Sequence, residues 1–215
     1  MLHLHYYPGN ASLTPHMLLE ELGVPYQLEL VDRTQGAHKS PIYLKLNPNG
    51  LIPVLIDGDL VLYETAAICL HLADTHAAAA LAPPLGTHER AHFYKRLMWL
   101  TNTMQAMLIH YFYPERLVEE GNLEAAAQIK AHAEAKVGAM LDQLDSELAR
   151  HGQAWLLGPK YSAVDPYALM LCRWTRGFKR PARSLPHLVP YLERVLARPA
   201  VQRAFEQEGL ARPWV

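Results

Sequence analysis

The segment Tyr63-Glu64-Thr65 carries residue types that could hold the head group of an amino acid. An apolar strand pattern ends there, and a helical pattern begins with an acid and a hydroxyl. The N–H groups of a first helical turn and the Thr65 hydroxyl can bind a carboxylate, while Glu64 can pair with an ammonium group. The segment predicts a site for a zwitterionic α-amino acid, the alternative being that Glu64 and Thr65 serve only as helix caps.

A second candidate site lies at Ile52-Pro53, directly before the apolar run Val54-Leu55-Ile56. A proline at this place, in a tight turn before a strand, is a candidate for a cis peptide bond. A cis bond would turn the backbone N–H and C=O of Ile52 outward, where they offer a strand-like edge to an extended peptide ligand. The alternative is a trans proline that only begins a strand.

Hydrophobic periodicity predicts the elements that position these residues. Alternation and short apolar runs predict strands at residues 2–6, 26–31, 54–56 and 60–63. Helical spacing predicts helices at residues 12–22 and 64–73. The order strand, helix, strand indicates parallel pairing, and Asp57-Gly58 between the last two strands indicates a hairpin. The first part of the chain is therefore predicted to be an α/β domain.

The remainder of the chain is predicted to be all-helical. Apolar residues recur three or four apart from His88 to Tyr113 and from Ile129 to Leu148, which predicts two long amphipathic helices. Shorter helices are predicted at residues 163–177, 187–197 and 200–208. Ser162 and Asp165 form a capping-box pattern, which we expect to matter for folding and not for chemistry.

A break in the pattern at residues 77–86, with two prolines and a glycine, indicates a linker. We therefore expect an α/β domain at residues 1–76, a linker at 77–86 and an all-helical domain at 87–215.

Composition excludes several classes of function. The chain has 20 basic and 21 acidic side chains, so no overall field favours nucleic acid or an anionic membrane as a partner. Its first residues lack a signal-peptide pattern, and we expect a cytoplasmic protein. Cys69 and Cys172 are expected to be reduced, buried thiols. The spacing of the histidines predicts no metal site.

In combination, these motifs resemble those of cytosolic glutathione transferases along essentially the whole chain. The resemblance rests on residues 6–12 (YYPGNAS), 38–41 (HKSP), 47–53 (NPNGLIP) and 64–65 (ET), in this order. It implies a thioredoxin-like N-terminal domain followed by an all-helical C-terminal domain of the glutathione-transferase type. It also implies a homodimer with glutathione as co-substrate, bound in a cleft between the domains, and no other cofactor.

Within the family, the chain is most similar to bacterial beta-like and theta-like members, with one departure. Ala11 stands where beta-type members carry a cysteine, so a mixed disulfide between glutathione and the protein is not expected.

The resemblance also assigns residues to the parts of glutathione. Glu64 and Thr65 would bind the γ-glutamyl end, and Ile52 beside Pro53 would bind the cysteinyl backbone. His38 or Lys39 would bind the glycine carboxylate, the alternative being that both lie in a solvated loop.

Activation of the thiol is the central chemical step. A thiol with a pKa of about 8.5 is only about 3% ionised at neutral pH, so a hydrogen-bond donor beside the sulfur is needed. Ser12, near the start of the first helix, is the first candidate, followed by Tyr6 and then Asn10. In a competing interpretation Thr14 caps the helix, with Pro15 at its first position, and Ser12 lies in the preceding loop.

The helical domain would supply the site for the second substrate. His110, Tyr111 and Trp174 are the candidates, because aromatic side chains suit a small apolar electrophile. The predicted activity is conjugation of glutathione to such an electrophile. The alternatives are a glutathione-dependent disulfide reductase or peroxidase that uses Asn10 and Ser12, and a non-catalytic dimeric interaction module.

Overall fold

The computed structural model describes all 215 residues, which form two compact units. The first unit contains Met1–Pro83 together with Val195–Trp214, and the second contains Pro84–Arg194 with Val215. The C-terminal segment thus packs with the N-terminal part of the chain. The division at residues 77–86 stays a prediction about domains.

A four-stranded mixed sheet in the order β2-β1-β3-β4 forms the centre of the first unit. Its strands are β1 (Leu2–Tyr6), β2 (Tyr26–Leu30), β3 (Val54–Asp57) and β4 (Leu60–Tyr63). β1 pairs in parallel with β2 and antiparallel with β3, and β3 pairs antiparallel with β4. Both the predicted strand-helix-strand unit and the hairpin at Asp57-Gly58 are confirmed.

Nine α-helices complete the two units. They are α1 (Leu13–Leu22), α2 (Pro41–Leu46), α3 (Thr65–Thr75), α4 (His88–Trp99), α5 (Ala106–Phe112), α6 (Leu123–His151), α7 (Val164–Trp174), α8 (Leu188–Leu196) and α9 (Pro199–Gln207). Every helix predicted from the spacing of apolar residues is present, with ends shifted by a few residues. None of the helices is both long and apolar enough to cross a membrane.

The two faces of the sheet bury different side chains because successive residues of a strand point to opposite sides. On one face, Tyr43 of α2 contacts the His5 ring and joins a core with Val31, Ile52 and Val54. Leu4 alternates with His5 and therefore faces the other side, where it is fully buried.

The first long helix of the second unit is not uniformly α-helical. Between α4 and α5 the chain forms a π-helical stretch at Leu100–Gln105, where the Tyr167 hydroxyl donates to Oε1 of Gln105. Apolar spacing of three or four residues does not distinguish a π-helical turn from an α-helical one. The prediction of one continuous helix from His88 to Tyr113 therefore missed it.

Asp165 is a fully buried carboxyl at the start of α7. One oxygen accepts from the N–H of Ser162 at 2.8 Å, and the other accepts from the N–H of Leu156 at 3.1 Å and from the Tyr191 hydroxyl at 3.0 Å. The acidic half of the predicted capping box is thus confirmed. Burial raises the pKa of Asp165 to about 6, because these donors only partly replace the water that the carboxylate loses.

The end of α9 is fixed by a left-handed turn at Gly209, whose φ is 65°. The N–H of Leu210 donates to the carbonyl of Phe205 at 3.0 Å, which is the six-to-one bond of a Schellman motif. Along its length, α9 is tied to α1 by Arg198 with Glu21 and Arg203 with Glu20, each pair with an N···O distance of 2.5 Å. The C-terminal segment is therefore anchored against the first helix.

Candidate functional site

The register of the sheet brings three separate chain segments to one end of it. Tyr6, the last residue of β1, lies beside Leu30 at the end of β2. Val54, the first residue of β3, pairs with His5 near the end of β1 and with Tyr63 at the end of β4. The loop after β1, the residues before β3 and the start of α3 therefore meet at the same edge, as the predicted site requires.

Ser12 closes the loop between β1 and α1. Its hydroxyl accepts from the N–H of Tyr7 and donates to the carbonyl of Tyr7, each at 3.2 Å. The residue is fully buried. A bound thiol would have no access to this oxygen, so the direct catalytic role predicted for Ser12 does not fit the geometry.

The competing interpretation of the helix start is wrong. α1 begins at Leu13, with Ser12 in the N-cap position, so Thr14 lies within the first turn instead of capping it. Pro15 is tolerated there because the first turn of a helix leaves its N–H groups without helical acceptors.

Asn10 offers a donor that the loop does not use. Its side-chain oxygen accepts from the N–H of Ala11 at 2.6 Å, which leaves the amide NH₂ group pointing away from that contact. The residue is only half-buried.

Tyr6 is also half-buried. The pKa of its phenol is raised, mainly by burial and to a smaller extent by the charge of Glu208. Tyr6 therefore stays protonated and can donate, but its ring packs edge-on against His16.

The Ile52–Pro53 peptide bond is cis, the first of the two alternatives that the sequence left open. The residue before it is held by two side chains: the carbonyl of Leu51 accepts from the Tyr43 hydroxyl at 2.7 Å and from the Asn47 amide at 2.9 Å. Tyr43 and Asn47 are both buried. The motif therefore has two anchors that the sequence prediction did not include.

Glu64 has an unusual backbone conformation, with φ 75° and ψ 113°. Residues other than glycine rarely adopt such angles, and those that do are concentrated at functional sites. Its exposed carboxylate makes no cap hydrogen bond to α3 and no ion pair within the chain. The interpretation of Glu64 as a helix cap is therefore wrong.

Thr65, the first residue of α3, is buried directly beside this carboxylate. The first hydrogen bond of the helix runs from the N–H of Ile68 to the carbonyl of Glu64, so the three preceding N–H groups have no helical acceptor. An exposed anion thus lies next to a set of free donors at a positive helix end, which is the chemistry that a zwitterion needs.

His38 and Lys39 lie against the segment that leads into the cis bond. The Lys39 ammonium is 3.4 Å from the carbonyl oxygen of Asn49. Gly50 has φ 60°, and a Cβ at this position would come within 2.8 Å of the Lys39 nitrogen and 2.9 Å of the His38 carbonyl. Glycine is thus required there by both conformation and space, and it lets the exposed Lys39 side chain lie beside Asn49 and Gly50.

The sequence prediction missed Glu208 and His16. One Glu208 oxygen accepts from the N–H of Gly9 at 2.7 Å, and the other lies 2.9 Å from Nδ1 of His16. Both side chains are completely buried. Glu208 and Gly9 are 199 residues apart, so no local pattern could have connected them.

In the second unit, aromatic side chains from α5, α7 and the chain after α7 form a cluster. Tyr111 contacts Phe112 and Phe178, with ring centroids 5.2 and 4.5 Å away, and Phe112 contacts Trp174 at 6.0 Å. Tyr111 and Trp174 are thus brought together through Phe112, which contacts both rings. His110 takes no part in these ring contacts and is half-buried.

Other features lie apart from these residues. A cavity of about 430 Å³ between α4 and α6 is lined by Lys95, Arg96, Trp99 and Arg150, among others, and contains no predicted site residue. Cys69 and Cys172 are free and buried, as expected, and burial raises the pKa of Cys172 to about 12. Nowhere do three His, Cys, Asp or Glu side chains come together that could hold a metal ion.

Comparison with known proteins gives consistent matches along most of the chain. Residues 11–75 match the family model of the glutathione S-transferase N-terminal domain, and residues 99–199 match that of the C-terminal domain. Glutathione S-transferase 3 from Zea mays is 33% identical over 210 residues, which cover 91% of this chain and 89% of that protein.

Solved structures agree with these matches. A glutathione transferase homologue from Sulfitobacter, with bound glutathione, has a TM-score of 0.87 at 26% identity and covers 98% of this chain and 99% of its own. A bacterial beta class glutathione S-transferase from Sphingomonas chungbukensis has a TM-score of 0.83 at 31% identity, covering 97% of this chain and 100% of its own. The thioredoxin-like sheet, the helical second unit and these matches show that the chain belongs to the glutathione S-transferase family.

Proposed function

We propose that this chain binds glutathione at the sheet end formed by Tyr6, Val54 and Tyr63 and directs its thiolate at an apolar electrophile. The observation that carries the proposal is the free Glu64 carboxylate beside the unpaired N–H groups of α3. The γ-glutamyl head group has an ammonium that can pair with the Glu64 carboxylate and a carboxylate that can accept from the N–H groups of α3. Binding of glutathione by the Sulfitobacter homologue supports the same ligand here.

The remaining contacts follow the extended shape of the tripeptide. The backbone of Ile52, beside Pro53, binds the cysteinyl residue in the manner of an added strand. Lys39, with His38 beside it, binds the glycine carboxylate. The path of the chain supports this assignment of residues along the tripeptide. The Lys39 side chain lies against Asn49 and Gly50, which precede Ile52.

Asn10 is the residue we propose as donor to the thiolate. Its amide NH₂ group is free and accessible, whereas the proton of the Ser12 hydroxyl is taken by Tyr7. A donor at the sulfur favours the ionised thiol, and lowering its pKa by two units requires about 2.7 kcal/mol of differential stabilisation. Ser12 supports this step indirectly by fixing the loop, and Tyr6 is the second candidate.

In the conjugation step the thiolate sulfur attacks an electrophilic carbon and forms a C–S bond. The leaving group, a halide for example, departs with its bonding electron pair, and the thiol proton has already passed to water. The aromatic residues Tyr111, Phe112 and Trp174 supply an apolar surface suited to such a substrate. His110 remains a proposed lining residue.

A homodimer is part of the proposal, on the basis of the family resemblance and of exposed apolar side chains. Tyr94 and Met98 lie one turn apart on α4, and Leu60 and Val61 lie next to each other on β4; all four are exposed. Analytical ultracentrifugation tests this directly, because a species of one chain mass at micromolar concentration would contradict it. The cytoplasmic location is proposed on the resemblance alone.

Turnover with an activated aryl halide tests the conjugation activity. Product formation should require glutathione and should saturate with both substrates. The free amide of Asn10 also suits a disulfide reductase. There the thiolate attacks one sulfur of a disulfide and forms a new S–S bond, and the other sulfur leaves as a thiolate that takes a proton from water. Faster turnover of a mixed disulfide than of the aryl halide would favour that alternative. A folded protein that binds no glutathione would instead indicate an interaction module.

A further inference from the structure

Glu208 connects the C-terminal segment to the loop that carries Asn10. Its two oxygens serve different partners, the N–H of Gly9 at 2.7 Å and Nδ1 of His16 at 2.9 Å. The carboxylate is completely buried, so both contacts are shielded from water. A single side chain thus fixes both the loop after β1 and the helix that follows it.

The partners of His16 explain how a buried carboxylate is tolerated there. Gln207 donates its amide nitrogen to Glu20 at 2.9 Å, because a carboxylate accepts only, so the Gln207 oxygen faces Nε2 of His16 at 2.8 Å. Nδ1 of His16 faces the Glu208 carboxylate. Nε2 also lies 3.1 Å from the Tyr26 hydroxyl, so both ring nitrogens are engaged and the ring is held in place against Glu208.

The loop backbone next to this contact has a defined conformation. Gly9 has φ 68°, which residues with a side chain rarely adopt. The N–H of Asn10 donates to the carbonyl of Tyr7 at 3.1 Å, directly after the residue that Glu208 holds. The position of Asn10 is therefore set one residue away from the Glu208 contact. The Schellman turn at Gly209 in turn sets the position of Glu208.

We propose that Glu208 is a positioning residue for glutathione activation, which acts through Gly9 to hold Asn10 beside the bound thiol. This inference rests on the proposed function. Glu208 touches neither glutathione nor the reacting atoms. Its role is to keep the donor in place, so its loss moves the donor without removing it.

The test compares Glu208→Gln with Glu206→Gln. The first change keeps the size of the side chain and one acceptor oxygen, but it replaces the other acceptor oxygen, which serves either the N–H of Gly9 or Nδ1 of His16, with an NH₂ group. The second change makes the same replacement at an exposed position two residues away, where the side chain makes no hydrogen bond. Glutathione KM, kcat, the pKa of the bound thiol and amide hydrogen exchange of residues 7–12 are measured for both variants and the wild type.

In Glu208→Gln the KM for glutathione should rise about tenfold, because misplacement by a fraction of an ångström weakens a positioned contact strongly. The pKa of the bound thiol should rise toward that of free glutathione, and residues 7–12 should exchange faster even without ligand. Glu206→Gln should stay within about twofold of the wild type in all four measurements.

A purely structural role gives a different result. Partial unfolding lowers kcat in proportion to the folded fraction but leaves KM and the thiol pKa of the folded molecules unchanged. That outcome, with exchange of residues 7–12 raised no more than that of the rest of the chain, would overturn the positioning role while the proposed function stands. If the wild type itself binds no glutathione, the proposed function and this inference fall together.

Discussion

The hydroxyl of Ser12 lies 3.2 Å from both the backbone nitrogen and the carbonyl oxygen of Tyr7. The side chain at the end of the loop between β1 and α1 therefore satisfies both backbone groups of Tyr7 at its start. Because Ser12 is fully buried, its proton is committed to Tyr7 and is not offered to a ligand. The residue shapes the loop, and the accessible amide of Asn10 is left to meet the thiol.

Ser12→Ala should therefore reduce stability more than thiol activation. Loss of the acceptor for the Tyr7 N–H should lower the free energy of unfolding by about 1–3 kcal/mol, measured by chemical denaturation. The pKa of glutathione bound to the folded variant should stay close to the wild-type value. Ser146→Ala, an exposed serine on α6, is the control. A variant of full stability whose bound thiol has the pKa of free glutathione would restore Ser12 as the donor.

Glu64→Gln should weaken glutathione binding without destabilising the fold. The carboxylate has no partner in the chain, so its loss should change the free energy of unfolding by less than about 0.5 kcal/mol. The dissociation constant for glutathione should rise about tenfold to a hundredfold, because the ammonium loses a charged partner. Isothermal titration calorimetry measures this, with Glu120→Gln at an exposed loop position as control. Equal affinity of Glu64→Gln and the wild type would remove Glu64 from the site.

Lys39→Met tests how much the contact with the glycine carboxylate contributes to glutathione binding. The variant should bind glutathione about three- to tenfold more weakly, as expected for one partly solvated charge pair. It should bind γ-glutamylcysteine, which lacks the glycine, as well as the wild type does. Lys45→Met, at the exposed end of α2, is the matched control. Equal losses for both ligands would show that Lys39 acts on the fold instead of on the glycine carboxylate.

Asp165 should make stability depend on pH. Burial raises its pKa in the folded chain to about 6 from an ordinary value of 3.8, so between these values the folded chain binds a proton that the unfolded chain does not. Stability from this group is therefore present below pH about 4 and is lost as pH rises to about 6, by up to about 3 kcal/mol.

The comparison with Asp165→Asn isolates this effect, because the amide does not titrate. The free energy of unfolding of the wild type minus that of the variant should fall between pH about 4 and about 6. Asp59→Asn, at an exposed turn, should vary by less than about 0.5 kcal/mol over the same range. A difference for Asp165 that instead rises with pH would mean that the hydrogen bonds to its carboxylate outweigh its burial.

Much of the fold could be predicted from the sequence because its signals are local. Alternation marks β1, the Asp57-Gly58 pair marks the hairpin, and the proline before β3 marks the cis bond. The π-helical turn at Leu100–Gln105 could not be predicted, because apolar residues three or four apart fit both kinds of helix.

The site was predictable only in part. The sequence placed Glu64 and Thr65 at a helix start, but the freedom of the Glu64 carboxylate depends on a backbone conformation that no spacing reveals. The burial of Ser12 depends on how the loop folds back on Tyr7. Glu208 and Phe178 are joined to their partners by tertiary contacts, the former across 199 residues, and local patterns carry no information about them.

The central claim is that the protein binds glutathione and ionises its thiol through a donor on the loop after β1. Ultraviolet difference titration of glutathione across pH, with the wild type and Asn10→Ala, tests it most directly because thiolate absorbance reports binding and ionisation together. The wild type should show a bound-thiol pKa well below about 8.5, and Asn10→Ala should bind glutathione with that pKa raised by about one unit or more. A wild type whose bound thiol titrates like free glutathione would contradict the account.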